Sequence, residues 1–204
     1  MSCRLPLPNP RPEVDTLKLA QPPSTAQTGV WIGIAAVAMS FAAYTSALIV
    51  RQGGATDWQH FRLPPILYPN TLVLLASSGT LEYGRRLILQ EAPWRTASTS
   101  KGRAWVLLTL VLGLLFVMGQ VFAWRDLAAQ GLFLRTNPSS AFFYVFTGLH
   151  ALHLLGGVAA LAYVLGRHRS TAWPSMSALE ATSLYWHFMD VLWLYLLVLL
   201  VLRF

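Results

Sequence analysis

Five long apolar runs dominate the chain, and each is long enough to cross a lipid bilayer as a helix. They lie at about residues 30–50, 66–88, 105–124, 141–165 and 181–202, and a spanning helix needs about 20 mostly apolar residues. Charged residues make up only 11% of the chain, whereas soluble domains average about 25%. Too few charges therefore remain to cover a water-facing surface. The sequence predicts an all-α membrane protein built as a bundle of five transmembrane helices.

The segments outside the runs suggest one membrane domain and its orientation. Residues 1–28 form a proline-rich arm, and we expect a single five-helix domain over residues 29–204. Ten Lys and Arg residues lie on one side of the predicted bundle and five on the other. Because cytoplasmic loops carry the excess of Lys and Arg, the N-terminus is predicted to be cytoplasmic and the C-terminus outside. The net charge of +7 is scattered between apolar runs, which favours anionic lipid and not nucleic acid as its partner.

Two pairs of ionisable residues lie inside predicted spans, where such groups usually face the bundle interior. His150 and His153 share one face of the fourth run, and His187 and Asp190 share one face of the fifth, because residues three apart are neighbours on a helix. The histidine pair lies roughly 14 and 18 Å below the outer surface and the second pair about 9 and 14 Å above the inner surface. The two runs are predicted to be antiparallel neighbours, so these four residues are expected to form one polar cluster.

Three interpretations of this cluster remain open. Buried His and Asp side chains can bond to each other and fix helix packing. They can also make a proton-linked contact or a contact with a lipid headgroup. Finally, three histidines and a carboxylate could ligate a metal or haem in a bundle, and the chain would then be an electron carrier. The packing interpretation is favoured, since a repeated Glu-x-x-His pair, the stronger metal signal in bundles, is missing from the sequence.

Glu82 lies at the predicted cytoplasmic end of the second run, three and four residues before Arg85 and Arg86. This order favours a local ion pair on one helix face. The alternative is an anchor for a lipid or a neighbouring subunit. Glu180 is a second acidic residue close to the end of a predicted span, near the start of the fifth run.

The aromatic residues suggest where the membrane boundaries lie. Tryptophan and tyrosine are enriched at membrane interfaces, and six such residues fall near predicted interfaces: Trp31, Trp105, Trp124, Trp173, Tyr185 and Trp186. Trp193 lies deeper and is predicted to pack in the bundle or against lipid.

Several short motifs resemble those of subunit III of the haem–copper oxidases. Tyr-Trp-His-Phe-Met-Asp-Val-Leu-Trp-Leu at 185–194 resembles the Trp-His-Phe-x-Asp-x-x-Trp signature of that family's last helix. Gly-Leu-His-Ala-Leu-His at 148–153, with Gly156 or Gly157 after it, resembles its Gly-x-His-x-x-His helix. Asn-Thr at 70–71 with Ser-Ser at 77–78, and Gly-Gln at 119–120 with Trp124, are similar to two further helices. The resemblance covers about residues 29–204.

The resemblance implies the five-helix short form of the family and a supporting role. Such a subunit carries no haem or copper, packs beside subunit I, holds phospholipids in a cleft and supports sustained turnover and proton uptake during O₂ reduction. We therefore expect no catalytic residue, metal ligand or cofactor in this chain, with haem and copper in partner subunits and phospholipid bound. A bacterial-type cell membrane is its expected location. The expected structural and lipid-binding set is His150, His153, His187, Asp190, Glu82, Glu180, Trp186 and Trp193.

Related assemblies are alternatives to a cytochrome c oxidase. Ubiquinol oxidases use five-helix subunits of this family, and relatives accompany nitric-oxide reductases. Many mitochondrial-type members carry a buried glutamate shortly before the Asn-Thr pair, where this chain has Pro65 or its neighbours. The proton-antenna role linked to that carboxylate is therefore not carried over.

Overall fold

The computed structural model describes residues 25–54, 56, 58, 60–90, 99–167 and 176–204. Its five helices are α1 (Thr25–Gly54), α2 (Leu67–Gln90), α3 (Thr99–Ala129), α4 (Pro138–Arg167) and α5 (Met176–Arg203). The predicted all-α fold is confirmed. Each apolar run lies within one helix, except that Ile66 belongs to the turn before α2. Most of the predicted N-terminal arm, residues 1–24, lies outside the described residues.

Four of the helices are long and apolar enough to cross a membrane, over Gln27–Gly54, Lys101–Ala129, Pro138–Gly166 and Ala178–Arg203. A helix of 30 residues such as α1 measures about 45 Å, which exceeds the hydrocarbon thickness of about 30 Å. Such a helix is longer than a perpendicular crossing of the hydrocarbon requires. Helix α2 is shorter, at 24 residues, and is not one of the four. Polar and charged side chains, among them Asn70, Ser77 and Glu82, make α2 less apolar than the other four helices.

Helices α2 to α5 form a closed ring in which each packs against the next and α5 packs back on α2. Helix α1 lies outside the ring against α4 and α5. Its buried side chains are Ile34, Val37, Phe41 and Leu48, which recur at helical spacing along one narrow stripe. The core is therefore a four-helix bundle with α1 as an outer helix.

Helices α2 and α3 share the most extensive packing in the described chain, and glycines permit their close approach. A Cβ placed on Gly84 would come 2.9 Å from the Cβ of Trp105, and one placed on Gly102 would come 2.5 Å from Cγ1 of Ile88. A Cβ on Gly119 would overlap the side-chain amide of Asn70. Small residues let membrane helices approach closely enough for backbone and polar contacts, so these glycines fix the register of the α2–α3 hairpin.

The turn between α3 and α4 fixes how these two helices connect. Gly131 takes a positive φ of 78°, a conformation that glycine adopts at helix C-termini without steric cost. Asn137 accepts a hydrogen bond from the Ser140 amide at 2.8 Å through Oδ1, and Pro138 occupies the first helical position. This N-cap and N1 proline combination starts α4.

Candidate functional site

Trp193 of α5 lies where all four helices of the ring meet. Its side chain is fully buried, and its indole Nε1 donates to Thr71 Oγ1 of α2 at 2.9 Å. Its ring packs edge-on to Phe116 of α3, with centroids 4.9 Å apart, and lies 5.0 Å from the ring of His150 on α4. These four residues form the Trp193 layer. The prediction that Trp193 packs in the bundle or against lipid is resolved in favour of the bundle.

Trp186 forms a second layer two helical turns away. Its Nε1 donates to Ser77 Oγ of α2 at 3.1 Å. Gly113 of α3 and Gly157 of α4 make room for the ring, because a Cβ placed on them would lie 2.6 and 3.3 Å from its carbons. Ser77, Gly113, Gly157 and Trp186 form the Trp186 layer. Trp186 does not face lipid as a residue of an aromatic belt would, since its side chain is fully buried. Its place in the sequence run indicates its depth but not which side of the helix is covered by protein.

The other predicted belt residues differ in their surroundings. Trp31 is 57% exposed and Trp105 is 36% exposed. This exposure suits tryptophans that contact lipid at a membrane interface. Trp124 is only partly exposed and donates through Nε1 to Thr147 Oγ1 at 3.0 Å. Tyr185 donates to the backbone oxygen of His153 at 2.9 Å. Trp173 lies outside the described residues.

The polar side chains of α2 bond to its neighbours across the bundle. Asn70 Nδ2 donates to the Phe116 carbonyl at 3.0 Å, and the Thr80 and Thr109 hydroxyls lie 2.9 Å apart. Together with Thr71 and Ser77, these groups connect α2 to α3 and α5. They lower the apolar character of α2 but face protein, where polar side chains act as interhelical contacts. Asn70, Thr71, Ser77 and Thr80 are called the α2 ladder. The sequence motifs Asn-Thr and Ser-Ser contain three of these residues, but the sequence did not indicate that they bond to neighbouring helices.

A second polar group, the Glu82 site, consists of Ser78, Glu82, Arg85, Arg86 and His187. Glu82 accepts from Arg85 Nε at 2.9 Å and from Arg86 Nε at 2.6 Å. The predicted local ion pair is therefore confirmed. His187 of α5 lies 2.6 Å from Ser78 Oγ through Nδ1 and 3.9 Å from Glu82 Oε2 through Nε2. The site joins the end of α2 to the first half of α5.

Glu180 links α1 to α5 near the same end of the bundle. Its Oε2 accepts a hydrogen bond from Gln27 Nε2 at 3.1 Å. This contact holds the start of the outer helix against the ring.

The predicted four-residue cluster is divided among different surroundings. His150 is fully buried between aromatic rings, whereas His153 lies 2.7 Å from the Leu149 carbonyl through Nδ1 and packs against Phe41 of α1. His187 belongs to the Glu82 site, and Asp190 is buried on α5 between the two tryptophan layers. The α4–α5 contact itself is confirmed.

The four residues that the sequence offered as metal ligands are not gathered into one group in the part of the chain that the structure describes. No three His, Cys, Asp or Glu side chains there lie close enough together to hold a metal ion. Residues three apart differ by about 60° around the helix axis, which is enough for their side chains to contact two different neighbouring helices. His150 faces the ring interior while His153 reaches α1.

Comparison with known proteins places these motifs in a family. The family model described as cytochrome c oxidase subunit III matches residues 34–202. A probable cytochrome c oxidase subunit 3 of Mycobacterium leprae is 36% identical over 136 residues, which are 62% of this chain and 60% of that protein. The chain thus spans about three fifths of that relative's length.

Two relatives match over more of their length. The probable cytochrome c oxidase subunit 3 of Nocardia farcinica is 29% identical over 84% of this chain and 85% of its own length. The cytochrome c oxidase subunit 3 of a Synechocystis strain is 29% identical over 87% of this chain and 75% of its own length. The family match includes both tryptophan layers, the α2 ladder and the Glu82 site. The chain belongs to the cytochrome c oxidase subunit III family.

Proposed function

We propose that this multi-pass membrane chain is a non-catalytic subunit of a haem–copper terminal oxidase, which reduces O₂ to water and couples that reaction to proton translocation. In this role it stabilises subunit I and supports its proton uptake in a bacterial inner membrane. The family match over residues 34–202 carries the proposal. The fold supports it, because several polar side chains of the ring join one helix to another.

We also propose that α2 is a fifth span, with the N-terminus of the chain inside and the C-terminus outside. Its polar side chains make bonds to α3 and α5, so lipid would meet mainly its exposed apolar residues, such as Leu72 and Leu75. A buried and bonded polar group costs far less in a membrane than an unsatisfied one. The distribution of Lys and Arg supports the orientation.

The proposed lipid site is a groove along α5. Helices α1 and α2 both pack on α5 and, over the described residues, do not pack on each other. The strip of α5 between them exposes Val191, Leu194 and Val198, at 64, 38 and 57%. This apolar strip is suited to an acyl chain, and it begins one turn beyond His187 of the Glu82 site.

The headgroup of that lipid would bind at the Glu82 site. The Arg85 and Arg86 side chains are 28 and 68% exposed. Arg86 uses its Nε for Glu82, so its terminal nitrogens can reach a phosphate. Guanidinium groups bind phosphate through paired, charge-assisted hydrogen bonds, and basic residues at the cytoplasmic surface attract anionic lipid.

Removing the chain from its host tests the oxidase proposal. We expect membranes without it to begin O₂ consumption but to lose activity sooner during sustained turnover, and the full chain to restore the duration. The control is the same strain complemented with the empty vector. Unchanged oxidase yield and unchanged duration of turnover would contradict the proposal.

Paired arginine variants test the lipid site. We expect Arg85→Gln/Arg86→Gln to retain less phospholipid than the native chain after detergent purification, as measured by mass spectrometry. The matched control is Arg62→Gln/Arg135→Gln, which removes two exposed arginines outside the Glu82 site. Equal phospholipid in the two double variants would show that the Glu82 site does not bind the headgroup.

A further inference from the structure

Gln120 of α3 and His150 of α4 are buried polar side chains whose bonding groups have no partner among the described residues. Both side chains are fully buried, and neither the two amide atoms of Gln120 nor the two ring nitrogens of His150 make a hydrogen bond within that part of the chain. Leaving such groups unsatisfied destabilises the fold, because each loses its hydrogen bonds to water and gains none in the protein. Packing between helices alone does not explain why polar side chains occupy these two buried positions.

The contacts of the flanking residues place Gln120 and His150 at the same level on facing helices. Phe116, Gln120 and Trp124 lie at successive turns on one face of α3. The Phe116 ring is 6.0 Å from the His150 ring, and Trp124 bonds to Thr147, one turn before His150, at 3.0 Å. Gln120, which lies between Phe116 and Trp124, therefore faces the stretch of α4 between Thr147 and His150.

The polar groups around this position are already bonded elsewhere. Thr147 donates to the Phe143 carbonyl at 2.7 Å and accepts from Trp124. The Trp193 N–H points to Thr71.

We propose that Gln120 and His150 hold an internal water molecule between α3 and α4. A glutamine amide offers two donors and an acceptor, and a neutral imidazole offers one of each. A buried water makes about three hydrogen bonds to groups that would otherwise be unsatisfied. One water that accepts from the Gln120 amide and bonds to one nitrogen of the His150 imidazole gives each side chain a hydrogen-bond partner, in a wall otherwise made of the Phe116 and Trp193 rings.

Solid-state NMR on the full chain in phospholipid bilayers tests this proposal. With ¹⁵N in the Gln, Asn and His side chains, magnetisation is transferred from water protons at short mixing times. We expect strong transfer to the side-chain nitrogens of Gln120 and His150, comparable with that to the exposed Gln130. The internal control is Asn70, which is equally enclosed but donates to the Phe116 carbonyl and should receive little.

The same transfer measured in variants shows whether Gln120 and His150 share one water molecule or each bind a separate one. His150→Phe should reduce the transfer to Gln120, and Gln120→Leu should reduce the transfer to His150, whereas Gln130→Leu should change neither. Transfer to Gln120 and His150 no stronger than to Asn70 would overturn the proposal in the native chain, whether or not the variants fold. A direct Gln120–His150 contact without water transfer would also overturn it.

Discussion

Trp186 and Trp193 each bury one N–H group, and each N–H group bonds to a hydroxyl on α2. These bonds place two indole side chains at two levels of the four-helix bundle. Each bond also fixes the orientation of its indole side chain. The sequence motif around 185–194 indicated the family, but it could not indicate that Trp186 is buried. That fact depends on Ser77, Gly113 and Gly157, which come from three other helices.

Thr71→Val tests the contribution of the Trp193 layer. Valine keeps the shape of threonine but leaves the Trp193 N–H without an acceptor, so we expect the free energy of unfolding to fall by about 1–2 kcal/mol. Thermal unfolding of the purified chain in mild detergent provides the measurement. Thr182→Val is the matched control, because this buried hydroxyl donates only to a carbonyl of its own helix in the described structure, Ala178 at 2.8 Å. Equal losses in the two variants would show that the indole bond contributes nothing.

At the scale of the helices, apolar runs were sufficient to predict how many there are and where they lie. They could not predict that α2 carries its polar residues toward α3 and α5, because hydropathy counts residue types and not the partners they meet. They also could not predict that α1 lies outside the ring, since its composition resembles that of the other apolar helices. Packing between helices decides both features.

Replacing glycine by alanine in the α2–α3 hairpin should lower the free energy of unfolding at one position and raise it at another. Gly119→Ala forces a Cβ against the Asn70 amide, which displaces its bond to Phe116, and such overpacking costs about 1–3 kcal/mol. Gly79→Ala meets nothing within 4 Å and should gain up to about 1 kcal/mol from helix propensity. Denaturation in detergent compares the two. A neutral Gly119→Ala would mean that the hairpin is not closely packed at this level.

At the scale of the whole molecule, the charge distribution predicts an orientation that the fold alone leaves open. The four candidate spans are established by length and composition, and α2 decides whether the chain crosses the membrane five times. The candidate site was predicted in part. The Glu82 ion pair follows from spacing on one helix, whereas the separation of His150 from His187 depends on how different helices are rotated.

Cysteine labelling measures whether α2 crosses the membrane. In a Cys3→Ser background, which contains no other cysteine, single cysteines replace Arg62 and Gln90, which are exposed on either side of α2. We expect a membrane-impermeant maleimide to label Arg62→Cys in intact cells and Gln90→Cys only after permeabilisation. Labelling of both in intact cells, or of neither, would show that α2 does not span.

Gentle affinity purification of the tagged chain tests most directly whether it is a non-catalytic oxidase subunit. The complex should contain a larger haem–copper subunit and phospholipid, and it should show haem absorbance. After dissociation, the isolated chain should show no Soret band, because His150, His153 and His187 contact neighbouring helices. A chain that elutes without a haem–copper partner, or that carries its own stoichiometric haem, would contradict the account.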